Sequence, residues 1–383
     1  MLDVEFNRWF VFLKNLIKTS KLSFLIYASD FTINLFLQTP KIYKIIKIVK
    51  DNHFSHIIFG LDQGYGHTIT GPCVAHENYS GQILFIFFNQ GCRLNNKHEE
   101  IFLEPRILFL RKAIRFSNDI SCLLLMLTLQ RIMKIIGYTG FFHYVADKDF
   151  RIANNTTYIY EDYCKIKRLQ INGRFVTSND WVKYFVKNFN FNNSLIKFNS
   201  SQIEEFKNKV ESHSGIRRTI CLYRREKKSG GISAVRRMGG DLSNYAELLK
   251  SLNELGFTIL VVGETAKICR HFPFLVSAEK LELQKSLFDP LAVLSCDIFI
   301  GNVGGGSWLP LLSQCKIKIF LDAFPLWWQP KNSSVLFKQI LSKGKLLDEH
   351  KDRPLDFWNS PDLQVLDCNA SNLKRFVIKI IQQ

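Results

Sequence analysis

The peptide Asp297-Ile-Phe-Ile-Gly-Asn-Val-Gly-Gly-Gly-Ser307 sets a short apolar run, a glycine cluster and a second apolar run in succession. A strand ending at Gly301 and turning into a helix would use the glycines where the backbone needs positive φ or must approach a ligand closely. The N–H groups that open a helix have no partner within it, and they attract anions. Gly304, Gly305 and Gly306 would therefore offer backbone donors, and Ser307, at the place of an N-cap, would add a hydroxyl. Tight strand-to-helix turns use the same residues without binding anything, so the reading needs a second set of groups.

Thr219-Ile-Cys-Leu-Tyr-Arg-Arg-Glu226 supplies it. A buried-strand pattern ends in Arg224 and Arg225, and the loop beyond holds Glu226, Lys227, Lys228, Gly230, Gly231, Arg236 and Arg237. Guanidinium groups pair bidentately with phosphate oxygens and keep their charge at any working pH. Apolar residues at 242, 245, 248, 249, 252 and 255 then recur with helical period up to Gly256, a C-terminal stop. A strand over 257–263 follows at once and delivers Glu264, a carboxylate suited to ribose hydroxyls. A helix and strand within 289–299 and a strand over 316–321 extend the βαβ pattern, so arginines and glycines fall at carboxyl ends of parallel strands, where such sheets bind ligands.

On "ICLYRRE", the later arginine followed by "DLSNY", "LGFTILVVGE" and "DIFIGNVGGGS", the chain resembles a family of bacterial glycosyltransferases from cell-surface polysaccharide clusters. It is similar, more remotely, to the fucosyltransferase-like branch of the GT-B fold. The resemblance covers residues 216–325 and is looser before them. It implies an α/β, GT-B-like architecture of two Rossmann-like domains facing a cleft, with a nucleotide sugar as donor substrate, no cofactor, and a saccharide or lipid-linked acceptor. It also implies a metal-independent reaction in which Arg224, Arg225, Arg237, Glu264 and Gly304 to Ser307 hold the donor. Two departures stand out: Val262 occupies the place of an expected arginine, and the loop after Arg225 is rich in Lys and Gly where the family carries an aromatic.

The N-terminal half has its own strand-to-loop signal. Residues 55–61 read as a strand opening into Asp62-Gln-Gly-Tyr-Gly-His-Thr-Ile-Thr-Gly-Pro72, which is not a dinucleotide fingerprint because Ile69 fills the third glycine position. The loop looks like the first loop of GT-B enzymes, and His67 in it is a candidate base, since imidazole titrates near neutrality; the alternative is a histidine bonded to its own turn. A strand over 81–89, a helix over 119–136 and a strand over 141–146 continue this half as α/β. Asp147-Lys-Asp149 has the DxD form by which other transferases hold a divalent cation, but it lies far in sequence from the glycine turn and reads by default as exposed loop carboxylates. Trp327 and Trp328 are either a sugar platform or core.

With 383 residues and 46% hydrophobic content, the chain can bury two ordinary cores. The boundary is expected near 215, with an acceptor-side domain over 1–215, a nucleotide-sugar domain over 216–383, and residues 371–383 as a closing helix crossing back to the first domain. The 9 cysteines are scattered without a CxxC pair, the pattern of free thiols in a reducing cytosol. Asp3 and Glu5 come early and no small-residue cleavage site follows, so a cytoplasmic location is expected. The net charge of +17 is spread along the chain, with no zinc-finger spacing, RRM signature or arginine-rich arm, which argues against nucleic acid. In the first 50 residues Lys or Arg at 8, 14, 18, 21, 41, 44, 47 and 50 outweigh Asp3, Glu5 and Asp30 and interleave with apolar residues. Such helices either face the core or lie on an anionic membrane leaflet. The apolar run 22–37, broken by Asp30, falls short of the ~20 residues a span requires. A GT-B-shaped nucleotide-sugar epimerase and a non-catalytic sugar- or nucleotide-binding protein of the same fold are the alternative functions.

Overall fold

The computed structural model describes residues 29, 31–33, 35–61, 79–90, 107–116, 119–144, 170–171, 174–175, 186, 198–224, 239, 242–263, 266–324, 328–347, 357 and 360–383. Two compact units divide the chain. Met1–Gln63, Ala75–Asn96 and Pro105–Asp180 form one; Gly64–Val74, Lys97–Glu104 and Trp181–Gln383 form the other. Each is α/β and centred on a parallel sheet.

In the first unit, helix α1 (Thr39–Asp51) leads through residues 52–55 into β1 (His56–Leu61), and β2 (Ile83–Gln90), β3 (Ile107–Phe116), helix α2 (Asp119–Ile135) and β4 (Phe141–Tyr144) follow. The sheet order is β3-β2-β1-β4, with every neighbouring pair parallel. Ile57, Ile58 and Phe59 are all buried, as a strand covered on both faces requires. Ile42, Ile45 and Val49 turn one stripe of α1 into this core, against Leu84, Ile86 and the α2 residues Leu125, Met126, Leu129 and Met133. β3 was not anticipated from the sequence. It is an edge strand, and its Arg111, Lys112 and Arg115 break the apolar pattern in the way edges tolerate. The two-residue strands β5 (Gln170–Ile171) and β6 (Arg174–Phe175) pair antiparallel around Asn172-Gly173, a hairpin signal that the sequence reading passed over.

The second unit opens with helix α3 (Ser200–Ser214). Asn199 accepts from the Gln202 N–H and Gln202 reaches back to the Asn199 N–H, a reciprocal cap, so Ser200 and Ser201 open the helix. Phe206 packs edge-on against Phe288, which seats α3 in this unit, on the C-terminal side of a division at Trp181 where 215 was expected. The chain then runs β7 (Thr219–Arg224), α4 (Ser243–Glu254), β8 (Thr258–Gly263), α5 (Ala266–His271), α6 (Lys285–Ser295), β9 (Ile298–Gly301), a 3-10 helix (Gly305–Leu312), β10 (Ile317–Ala323) and β11 (Ser334–Phe337). The expected strand, helix and strand over 219–263 are present, and Gly256 closes α4 with φ +75.

All neighbours in the five-stranded sheet β11-β10-β9-β7-β8 are parallel. A three-stranded antiparallel sheet, β13 (Lys345–Leu346), β12 (Gln339–Ser342) and β14 (Leu363–Leu366), was not foreseen. The last helix, α7 (Ala370–Ile381), sinks Leu373 and Val377 into the core shared by α4 and β10, so its seat lies within the second unit. Cys221, Cys269, Cys296, Cys315 and Cys368 are free thiols. Burial, with Cys221 against it, holds the Cys296 thiol well above its ordinary pKa.

Candidate functional site

The second sheet is laid down from its middle. β7 is followed by β8 on one side and then by β9 on the other, so the chain changes direction between β7 and β9, and ligands of open parallel sheets bind outside the carboxyl ends at such a switch. β7 ends in Arg224, β9 in Gly301, and the Asn302 N–H donates to the Tyr223 carbonyl at 3.0 Å, joining the two strand ends. Of the expected donor-site residues, Arg224, Gly304, Gly305, Gly306 and Ser307 thus lie on the two sides of the switch. Arg225, Glu226, Arg237, Glu264 and His67 lie outside the described residues, as do Asp147, Asp149 and Trp327.

The glycine turn differs from the expected cap. The helix that follows is 3-10, and Ser307 lies inside its first turn with no exposed surface. Its hydroxyl donates to the Gly304 carbonyl at 2.6 Å and accepts from the Gly304 N–H at 3.0 Å, so it braces the turn and does not extend toward a ligand. Gly305 and Gly306 open the helix, and by position their N–H groups have no acceptor within it. The apolar run behind them, Trp308, Leu309, Leu311 and Leu312, is buried and anchors the turn. Trp328 belongs to that anchor: it is buried, stands edge-on to Trp308 at 4.2 Å between ring centroids and meets Phe320, which makes it core and not a sugar platform.

Beneath the switch lies a buried polar network that the sequence reading did not assign. Asn302 Nδ2 donates to the Tyr245 hydroxyl at 2.8 Å and to the Leu321 carbonyl at 3.1 Å. Tyr245 Oη donates to Asp322 Oδ2 at 2.9 Å, and the Cys368 N–H donates to Asp322 Oδ1 at 2.8 Å. Asp322 has no exposed surface and a φ of +50, left-handed backbone that costs a non-glycine residue of order 1 kcal/mol. The pairing of β10 with β11 shifts register there, which turns the carboxylate onto Tyr245. Arg224, only 8% exposed, turns into the same layer, its Cζ 5.6 Å from the Tyr245 ring centroid. Burial, with the Asp322 charge added, holds the Tyr245 hydroxyl well above its ordinary pKa, so it remains a donor.

Gly239 packs on this layer from the loop side: a Cβ there would stand 2.5 Å from Asn302 Oδ1. The signals for these residues were present as a tyrosine on the inward stripe of α4, an asparagine directly after the apolar β9 and an aspartate at the end of the apolar run of β10. Among the described residues, no group of three His, Cys, Asp or Glu is placed to hold a metal ion. No helix among them is long and apolar enough to cross a membrane.

No family model matches the sequence, and no curated protein matches it. Among solved structures, the chain is similar to E. coli heptosyltransferase WaaC with ADP-2-deoxy-2-fluoro heptose, at 10% identity and a TM-score of 0.44, over 85% of this chain and 99% of that one. It is also similar to E. coli ADP-heptose lps heptosyltransferase II, at 11% identity and a TM-score of 0.43, over 86% and 99% of the two chains. The wall teichoic acid polymerase TagF, H548A, aligns with a TM-score of 0.28 at 11% identity, over 79% of this chain and 80% of that one. At these scores the likenesses carry no argument, and the α/β assignment rests on the parallel sheets themselves.

Proposed function

We propose that the chain is a glycosyltransferase of the GT-B type, moving a sugar from a nucleotide-sugar donor to a saccharide or lipid-linked acceptor in surface polysaccharide biosynthesis. Its place is the cytoplasm, at the inner face of the cytoplasmic membrane. The observation that carries this reading is the switch between β7 and β9, where a buried arginine ends one strand and a glycine-opened helix follows the other. Positive charge and backbone donors on either side of a switch suit a diphosphate, and they act where the leaving group gains charge.

In the transfer, the acceptor hydroxyl oxygen bonds the anomeric carbon as that carbon's bond to the diphosphate oxygen breaks. The diphosphate leaves with the electron pair, and in an inverting course the hydroxyl proton passes to Glu226 or His67. Arg225 and Arg237 would grip the diphosphate directly. Arg224 would add its charge from the buried layer, Glu264 would take the ribose hydroxyls, and Ser307 would keep the Gly304 to Gly306 amides in place. With this set the reaction needs no metal.

The test is nucleotide release from a panel of nucleotide sugars, with and without saccharide and lipid-linked acceptors. Release that requires an acceptor is the expected result. Conversion of the donor without an acceptor indicates an epimerase, and binding without turnover indicates a non-catalytic binding protein; either outcome overturns the proposal.

A further inference from the structure

We infer that α1 and the helical residues just before it form a docking surface for an anionic lipid bilayer. The inward side of this segment is already seated: Phe31 and Leu35 pack against the core of the first unit, and Gln38, Ile42, Ile45 and Val49 are buried. The other side nevertheless carries large apolar residues in the open. Ile33 is 57% exposed, Phe36 80%, Leu37 69% and Tyr43 68%. Ile33, Phe36 and Leu37 stand at i, i+3 and i+4, which groups them on one helix surface.

Charge identifies the occupant. Tyr43, Lys44, Lys47 and Lys50 share the face of α1 opposite Ile42, Ile45 and Val49, and all four are exposed. Apolar residues beside exposed lysines match the two layers of an anionic interface, with acyl boundary below and phosphate headgroups above. A second copy of the same basic surface would repel it.

Topology also gives this surface a position. Residues 52–55 join α1 to β1, so short a link that the two run in opposite directions. The 13-residue helix and the 6-residue strand each span about 20 Å, so the Phe36 and Leu37 end of α1 lies toward the carboxyl edge of the first sheet. That is the edge at which parallel sheets receive ligands. A bilayer docked here brings a lipid-borne acceptor to that edge, and this last step alone rests on the transferase reading.

Co-sedimentation of the full chain with vesicles tests it. The chain is expected to pellet with phosphatidylglycerol–phosphatidylcholine vesicles at low salt, at least tenfold more strongly than with phosphatidylcholine alone, and to release as salt rises. Phe36→Ser with Leu37→Ser, and separately Lys44→Glu with Lys47→Glu, should each lower the partition coefficient at least tenfold, with unchanged melting temperature and unchanged binding of nucleoside diphosphate. If one pair unfolds the chain, the other decides. Equal pelleting on neutral vesicles, wild-type pelleting of both folded variants, or a dimer that Phe36→Ser and Leu37→Ser dissolve while no vesicle is bound would overturn the inference. Binding needs no donor sugar, so a chain that pelleted but transferred nothing would sink the transferase reading and leave this surface standing.

Discussion

At the scale of single residues, the network under the switch joins α4 to the ends of two strands through buried hydrogen bonds. Replacing Tyr245 by Phe removes the donor to Asp322 Oδ2 and the acceptor of Asn302 Nδ2 together, leaving a carboxylate oxygen without that partner in a site with no exposed surface. The cost is that of an unmet buried group, about 1–3 kcal/mol, to be read as a lower urea midpoint at unchanged m-value. Arg225→Ala and Arg237→Ala should each weaken nucleoside-diphosphate binding by roughly 1.5–3 kcal/mol in calorimetry without changing that midpoint, because hydrogen bonds to charged groups carry that much. Wild-type affinity in both would remove the arginines from the proposed site. Asp289 offers a pH test. Burial raises its pKa above 3.8, and Lys285 at 3.0 Å together with the Gly263 N–H draws it back only in part. A folded pKa above the unfolded one gives stability that is full below 3.8 and is lost as pH rises through the folded value. Urea midpoints measured upward from acid should therefore fall more for the wild type than for Asp289→Asn; parallel curves would contradict the burial argument.

At the scale of elements, what was legible were pieces whose residues state their own structure. The inward stripe of α4 is such a piece, whereas the reciprocal cap of α3, though equally local, was not read from the sequence. Asn199→Ala should cost α3 about 1 kcal/mol, measured as a shift in denaturation midpoint, since the bond from the Gln202 N–H goes with the side chain. Gly239 belongs to a different case, because its reason is a neighbour distant in sequence. Gly239→Ala should displace Asn302, lowering nucleotide affinity and stability together, whereas an unchanged midpoint would mean the loop yields freely. The elements that escaped the reading were those whose pattern tertiary surroundings override. β3 bears charges because it is an edge, and β12 to β14 are strands of two to four residues with too few positions to display a period.

For the whole molecule, the proposed chemistry predicts that turnover survives EDTA, since arginines and a helix start take the place of a cation. Loss of turnover in chelator, restored by manganese, would redirect attention to Asp147 and Asp149. By itself the sequence determined that the chain is α/β with parallel sheets, that β7 ends in an arginine, and that β9 ends in a glycine with a glycine cluster after it, because burial on both faces, helical period and glycine punctuation are written residue by residue. Only the tertiary structure decided which strands are neighbours, and with that where the switch lies. Strand order depends on pairings between segments far apart in the chain, such as Tyr223 with Gly301, and no local pattern records them. It also decided that Ser307 braces its own turn, that Trp328 is core, and that Asp322 holds Tyr245 through strained backbone. Each of those roles is set by which polar group finds a partner once water is excluded, a condition that exists only after the sheets have packed.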